Sequence, residues 1–148
     1  MKKLLVSLFA LVLLATGCSG GGSSSDSVVC EVDGTTPMTV ELTNADGKIG
    51  KMIFTMEDED DSYAEIDDEY VKELQDYFES SYAAYDGLDI EVDVDGKVMT
   101  VVMTLDVQKA DSLPSEFNMT GSSMSELQDM DFDDAVAEIK SSDDVTCK

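Results

Sequence analysis

Leu88-Asp89-Ile90-Glu91-Val92-Asp93-Val94-Asp95-Gly96-Lys97-Val98-Met99-Thr100-Val101-Val102-Met103 reads as two β-strands and the turn between them. Leu88, Ile90, Val92 and Val94 alternate with Asp89, Glu91 and Asp93, the period of two that sends one set to a core and the other to water. Asp95-Gly96 is a two-residue turn signal, because Gly accepts the positive φ that tight hairpins demand. Folding there sets Val92 opposite Met99, Ile90 opposite Val101 and Leu88 opposite Met103, in a hairpin that runs on to Val107. One apolar face results, and an amphipathic element must cover it.

That element lies just upstream. Val71, Leu74, Phe78, Tyr82 and Tyr85 fall on one stripe of a helix, entered through Asp67 or Asp68 as cap and ended by Gly87. Before it, Glu57-Asp58-Glu59-Asp60-Asp61 is too charged for a core and is predicted to be a solvated loop. Further upstream, Val28–Asp33, Met38–Thr43 and Ile49–Met56 read as three strands, with turns at Asp33–Pro37 and Asn44–Gly47. A three-residue loop with Gly47 left-handed places Val40 opposite Met52 and Met38 opposite Phe54. It is preferred to a two-residue turn, which sets Leu42 against Lys51.

Downstream of the hairpin, Gln108–Thr120 carries no clear period, and Pro114 argues against a central strand. Ser123-Met124-Ser125-Glu126 fits a capping box. Asp131 is placed to cap a second short helix with Phe132, Ala135, Val136 and Ile139 on one side, and Asp144–Cys147 suits a closing edge strand. The expected fold is α+β: an antiparallel sheet of about five to six strands, packed by one long helix and one or two short C-terminal helices, within a single domain at 28–148.

The first residues have a different character. Met1-Lys2-Lys3 precedes an apolar run from Leu4 to Ala15, twelve residues against the ~20 that span a bilayer. Leu14-Ala15-Thr16-Gly17-Cys18 then sets small residues before a cysteine. This arrangement resembles a bacterial lipoprotein signal, with Ala15 where that family usually has Leu. The resemblance implies that 1–17 is a removed signal peptide and that Cys18 carries a covalent diacylglycerol. Residues 18–27 then form the lipidated cysteine and a flexible Gly/Ser tether, spanning roughly 15–18 Å. The expected location is the extracytoplasmic face of a cell membrane, held by lipid.

Charge narrows the function classes. The chain has 33 acidic and 9 basic residues, with no His and no Arg, for a net charge of −24. Loss of Lys2 and Lys3 with the signal leaves 7 basic residues and a net −26. So few cations exclude binding of nucleic acid through phosphate neutralisation. An anionic lipid surface repels such a domain as well, so the acyl chains must supply membrane affinity. With Cys18 assigned to lipid, Cys30 and Cys147 remain near opposite ends of the domain. In an exported setting they read as a structural disulfide, with two free thiols or a redox pair as competing readings. No neighbouring residue marks either thiol as reactive.

The order of features, from lipidated cysteine and polar tether through three strands, a helix, the Asp-Gly hairpin, a capped helix and the closing Val145-Thr146-Cys147-Lys148, resembles the YehR-like lipoproteins. That resemblance implies a small antiparallel α+β domain and supplies no catalytic residues. The absence of Arg and the acidic surface depart from it.

Chemistry-bearing motifs are few. Glu91–Gly96 imitates the opening of an EF-hand loop, but the twelfth position, where a bidentate Glu is needed, is Val102. The alternating valines explain the stretch as a strand. Glu57, Asp58, Glu59, Asp60 and Asp61, joined by Asp67, Asp68 and Glu69, are candidate calcium ligands; a solvated acidic loop and helix-dipole complementation explain the same residues. Tyr70, Tyr77, Tyr82 and Tyr85 raise an aromatic platform, with Tyr82 and Tyr85 on the core stripe. Met38, Met52, Met56, Met99 and Met103 alternate along strands as core filler does. Asn118-Met119-Thr120 matches a glycosylation sequon.

No histidine base, nucleophile elbow or phosphate-cradling loop supports an enzyme, and no catalytic residue or dedicated cofactor is expected. The leading expectation is a non-enzymatic interaction or accessory module with an envelope protein partner. Calcium binding through 57–69 is the alternative. A small solute-binding lipoprotein is a third reading, though the 131 residues left after removal of the signal give little room for two lobes around a cleft.

Overall fold

A computed structural model describes residues 27–34, 37–114 and 123–148. The signal, Cys18, nearly all of the tether and the Asn118 sequon lie outside the described residues. Within them the chain forms an α+β domain built on one six-stranded antiparallel sheet. Its strands are β1 (Ser27–Val32), β2 (Met38–Ala45), β3 (Lys48–Glu59), β4 (Leu88–Asp95), β5 (Val98–Asp106) and β6 (Val145–Cys147), ordered β4-β5-β3-β2-β1-β6. The helices are α1 (Asp68–Tyr82), α2 (Met124–Asp129) and α3 (Phe132–Lys140), with a 3₁₀ turn at Asp61–Glu65 before α1.

Alternation decides which face is buried. Val28, Cys30, Val40, Leu42, Met52, Phe54, Ile90, Val101, Met103 and Leu105 point to one side and pack with Met124, Leu127, Phe132 and Ala135 of α2 and α3. Pro114 is also fully buried, outside any strand. Of the five strand methionines, Met52 and Met103 are buried, and Met38, Met56 and Met99 pack against the core half-buried. The opposite face holds Val29, Glu41, Ile53, Thr55, Val102 and Thr104 at exposed or half-buried positions.

Both tight hairpins close one register away from expectation. The β4–β5 turn is Gly96-Lys97, with Asp95 opposite Val98, so Val92 meets Val101, Ile90 meets Met103 and Leu88 meets Leu105. Gly96 carries the positive φ of 65° at the first turn position, the type II′ arrangement. Between β2 and β3 the turn is the rejected two-residue one, Asp46-Gly47, with φ of 55° and 87°. A bulge corrects its consequence. Ala45 pairs with Lys48 and Asn44 with Ile49, but Leu42 pairs with Met52, so Gly50 and Lys51 together oppose Thr43. The Lys51 N–H donates to Thr43 Oγ1 at 2.8 Å, and the extra residue keeps Leu42 off Lys51. Val40 therefore faces Phe54 and Met38 faces Met56.

Two boundaries also move. Ser27, expected in the tether, already pairs with Thr43 in β1. Glu57, Asp58 and Glu59, expected in a loop, continue β3 by pairing with Thr100, Met99 and Val98. Beyond Pro37 no strand among the described residues flanks β3 on its other side, so these acids keep their water while their backbone stays in the ladder.

Asp67 caps α1, its carboxylate accepting from the Tyr70 N–H at 2.9 Å. The helix ends at Tyr82, short of Tyr85. Gly87 follows with φ 78°, where a Cβ would lie 3.0 Å from the Asp106 carbonyl oxygen. The Ser123–Glu126 capping box is formed. Asp131 occupies the N-cap position of α3 without a side-chain cap bond; its carboxylate accepts from Lys48 Nζ at 2.8 Å instead. Cys30 and Cys147 sit directly opposite each other in β1 and β6, their sulfurs 2.11 Å apart.

Candidate functional site

At the end of the sheet where β3 gives way to α1, the chain forms an open groove of about 550 Å³. Ile66, Tyr70, Leu74 and Met99 supply its apolar lining, and Ser62, Tyr63, Glu65 and Asp67 complete the wall. Local chemistry builds it. Asp60 caps the 3₁₀ turn by accepting from the Ser62 N–H at 2.8 Å, and Asp67 caps the helix a turn later. The short link between these caps brings Ile66 beside Tyr70 and Leu74, while β5 carries Met99 in from beneath. Tyr70 is 48% exposed, a large ring left in solvent beside apolar neighbours.

The rim is acidic and internally braced. The Tyr63 hydroxyl donates to Asp58, which holds its own ionisation above the usual tyrosine range; burial and the charges of Asp58 and Asp60 act in the same direction. Bonds from the Ser62 hydroxyl and N–H hold the Asp60 carboxyl below its ordinary value. Lys97 pairs with Asp61, the residue before Ser62 of the groove wall. Glu65 and Asp67 add two further carboxylates to the lining.

The five acids of the 57–61 run do not come together. Strand alternation sends Glu57 and Glu59 to one face of the sheet and Asp58 to the other. Asp58 is engaged by Tyr63, Asp60 by Ser62 and Asp61 by Lys97. Among the described residues no three carboxylate or cysteine side chains gather as a metal site. A second hollow, of about 740 Å³, lies among Asn44, Asp46, Asp131, Asp133 and Asp134, where Lys48 binds Asp131 and the Asp129 carbonyl oxygen.

Of the tyrosines, Tyr77 is 65% exposed but stands away from the groove, its ring edge-on to Phe78 at 5.7 Å. Tyr82 and Tyr85 are half-buried and pack together at 6.1 Å. Sequence reasoning missed Gln75. Its side chain donates to the Ile90 carbonyl oxygen and accepts from the Val92 N–H at 2.8 Å, so α1 seals the free edge of β4 by imitating a strand. A glutamine beside an apolar stripe, next to Leu74, was the available signal. The groove's Ile66 and Tyr63 were missed because no periodic pattern includes them.

Among the described residues, no helix is long and apolar enough to cross a membrane. No protein-family model matches the chain, and no curated protein matches it either. Among solved structures, the NMR structure of a protein from Streptococcus pneumoniae TIGR4 covers 90% of this chain and 92% of its own, with a TM-score of 0.52 and 12% identity. At that identity the likeness is one of fold alone: this chain shares the architecture of the pneumococcal protein.

Proposed function

We propose that this chain is a lipid-anchored module of the bacterial cell envelope, akin to the YehR-like lipoproteins, that docks another envelope protein and performs no catalysis. In this reading one long helix and two short C-terminal helices close one sheet face, and the domain hangs from diacylglycerol on Cys18. The observation that carries it is the placement of the apolar groove. Ser27, where the tether joins, lies level with Thr43 and the Lys51 end of β3, whereas Asp58 and Met99 flank the other end. Seven residues of strand separate the two, about 23 Å. A chain tethered through Ser27 presents the groove at the far end.

The non-enzymatic part rests on chemistry. The chain has no His, and the described carboxylates with a clear shift, Asp60, Asp106 and Glu126, are all held low by hydrogen bonds. A general acid at neutral pH needs the opposite shift. The calcium reading has less support, because strand alternation separates Asp58 from its neighbours.

Two experiments test the proposal. Cys18→Ala should move the protein from the membrane fraction to soluble or unprocessed material; continued membrane retention with the signal cleaved refutes the anchor. A photo-crosslinking residue at position 70 of the anchored protein should capture one envelope protein that the same residue at position 77 does not. Equal capture at both positions, or none, refutes the module.

A further inference from the structure

We infer that the groove takes a cationic polypeptide segment of the partner, one aliphatic or aromatic side chain seated against Tyr70, Leu74 and Met99 and flanked by Lys or Arg residues that meet Glu65 and Asp67. The inference rests on the interaction-module reading and adds the chemistry of its partner.

The shape argues for a side-chain anchor. About 550 Å³ has room for one or two large side chains, and Ile66, Tyr70, Leu74 and Met99 give it an apolar lining. Tyr70, half exposed beside Ile66 and Leu74, is the kind of amphipathic residue around which binding energy concentrates. Charge selects what surrounds the anchor. Glu65 and Asp67 line the groove, Asp68 and Glu69 follow in the first turn of α1, and Lys97 is already bound to Asp61. An anion finds no welcome at this helix start, because Asp67 occupies the Tyr70 N–H and three carboxylates crowd the turn. A second copy of the chain without its signal brings a net charge of −26 against the same sign. An anionic lipid surface is repelled for the same reason. A basic peptide satisfies both the floor and the rim.

The test uses the chain from Ser19 onward, which retains every described element, and two labelled lysine-rich peptides of equal length and charge. One peptide carries Leu-Phe at its centre and the other Ser-Gly. Binding is read by fluorescence anisotropy at about 0.15 M salt, where long-range attraction is screened. The Leu-Phe peptide should bind about tenfold more tightly. Tyr70→Ala should remove most of that difference, and Tyr77→Ala, a still more exposed ring outside the groove, should leave it intact. Glu65→Lys should weaken both peptides. Equal binding of the two peptides overturns the inference, as does an equal response to Tyr70→Ala and Tyr77→Ala, since both mean attraction by charge alone. Self-association in sedimentation that the Leu-Phe peptide fails to displace overturns it in favour of a second copy. A partner that crosslinks at position 70 yet lacks any basic segment would refute the inference and leave the module standing.

Discussion

Reducing the Cys30–Cys147 pair should be the largest single perturbation of this domain. The two cysteines are 117 residues apart, so their bridge closes almost the whole domain into one loop. Loop-closure entropy for that length amounts to about 4.9 kcal/mol at 25 °C, and measured bridges commonly deliver about 2–4 kcal/mol. For a domain of this size each kcal/mol moves Tm by about 4 °C, so loss of the bridge should lower Tm by roughly 10–20 °C. The structure adds a local consequence. The β6 strand has three residues and lies at the sheet edge, held to β1 by its short ladder and by an exposed pair between Lys148 and Glu31. Exposed pairs contribute about 0–1 kcal/mol, so the bridge is its main fastening. Urea unfolding of the Ser19–Lys148 chain, oxidised and reduced, measures the global term; the m-value should rise on reduction because the unfolded chain is freed to expand. Hydrogen exchange measures the local one. Amide protons of Lys148, bonded to the Val29 carbonyl oxygen, and of Asp33, bonded to that of Asp144, should lose protection first while β3 and β5 keep theirs. A stability loss below about 1 kcal/mol, or unchanged protection at Lys148 and Asp33, would refute the reasoning.

Further outcomes follow from single contacts. Gly87→Ala should destabilise by about 1–3 kcal/mol, because φ is 78° and the new Cβ would crowd the Asp106 carbonyl oxygen at 3.0 Å and the Ala110 nitrogen at 3.2 Å; thermal unfolding reads it. Gln75→Ala should cost about 1–2 kcal/mol by orphaning two groups on the edge of β4, with faster exchange at the Val92 amide as its signature. Glu126 is held below its ordinary value first by the Ser123 N–H and then by the Ser123 hydroxyl. Its cap is therefore in place above the ordinary glutamate range and lost as pH falls through the lowered folded value, which an NMR titration of the Ser123 amide should follow; Ser123→Ala, which removes the hydroxyl and keeps the N–H, should leave that titration in place and move its midpoint up towards the ordinary range.

The candidate site was partly legible. Asp67 as a cap and Tyr70 as an exposed ring follow from helical spacing, which is local. The groove itself does not, because Met99 lies 29 positions after Tyr70 and reaches it through the pairing of β5 with β3 and β4. The acidic run shows the limit of composition. Five carboxylates require water, and they have it, but Glu57–Glu59 satisfy that demand as the end of β3, beyond the first residue of β2 at Met38.

By itself the sequence determined which residues share a face. The alternation of Leu88, Ile90, Val92 and Val94, the stripe at Val71, Leu74 and Phe78, and the Ser123 capping box are signals within a few residues of one another, so no distant contact is needed to read them. Tertiary structure decided the register. Sliding either hairpin by two residues leaves every apolar side chain on its original face, so pattern cannot separate Val92 opposite Met99 from Val92 opposite Val101. The choice fell to the turn at Gly96-Lys97 and the bulge at Gly50-Lys51, whose favourability depends on what packs beyond them. The long-range β3–β5 and β1–β6 pairings then bring Met99 to the groove beside Tyr70 and set Cys147 opposite Cys30, so the groove emerges only once the chain is folded, whereas the bridge was already suggested by the two cysteines left in an exported chain.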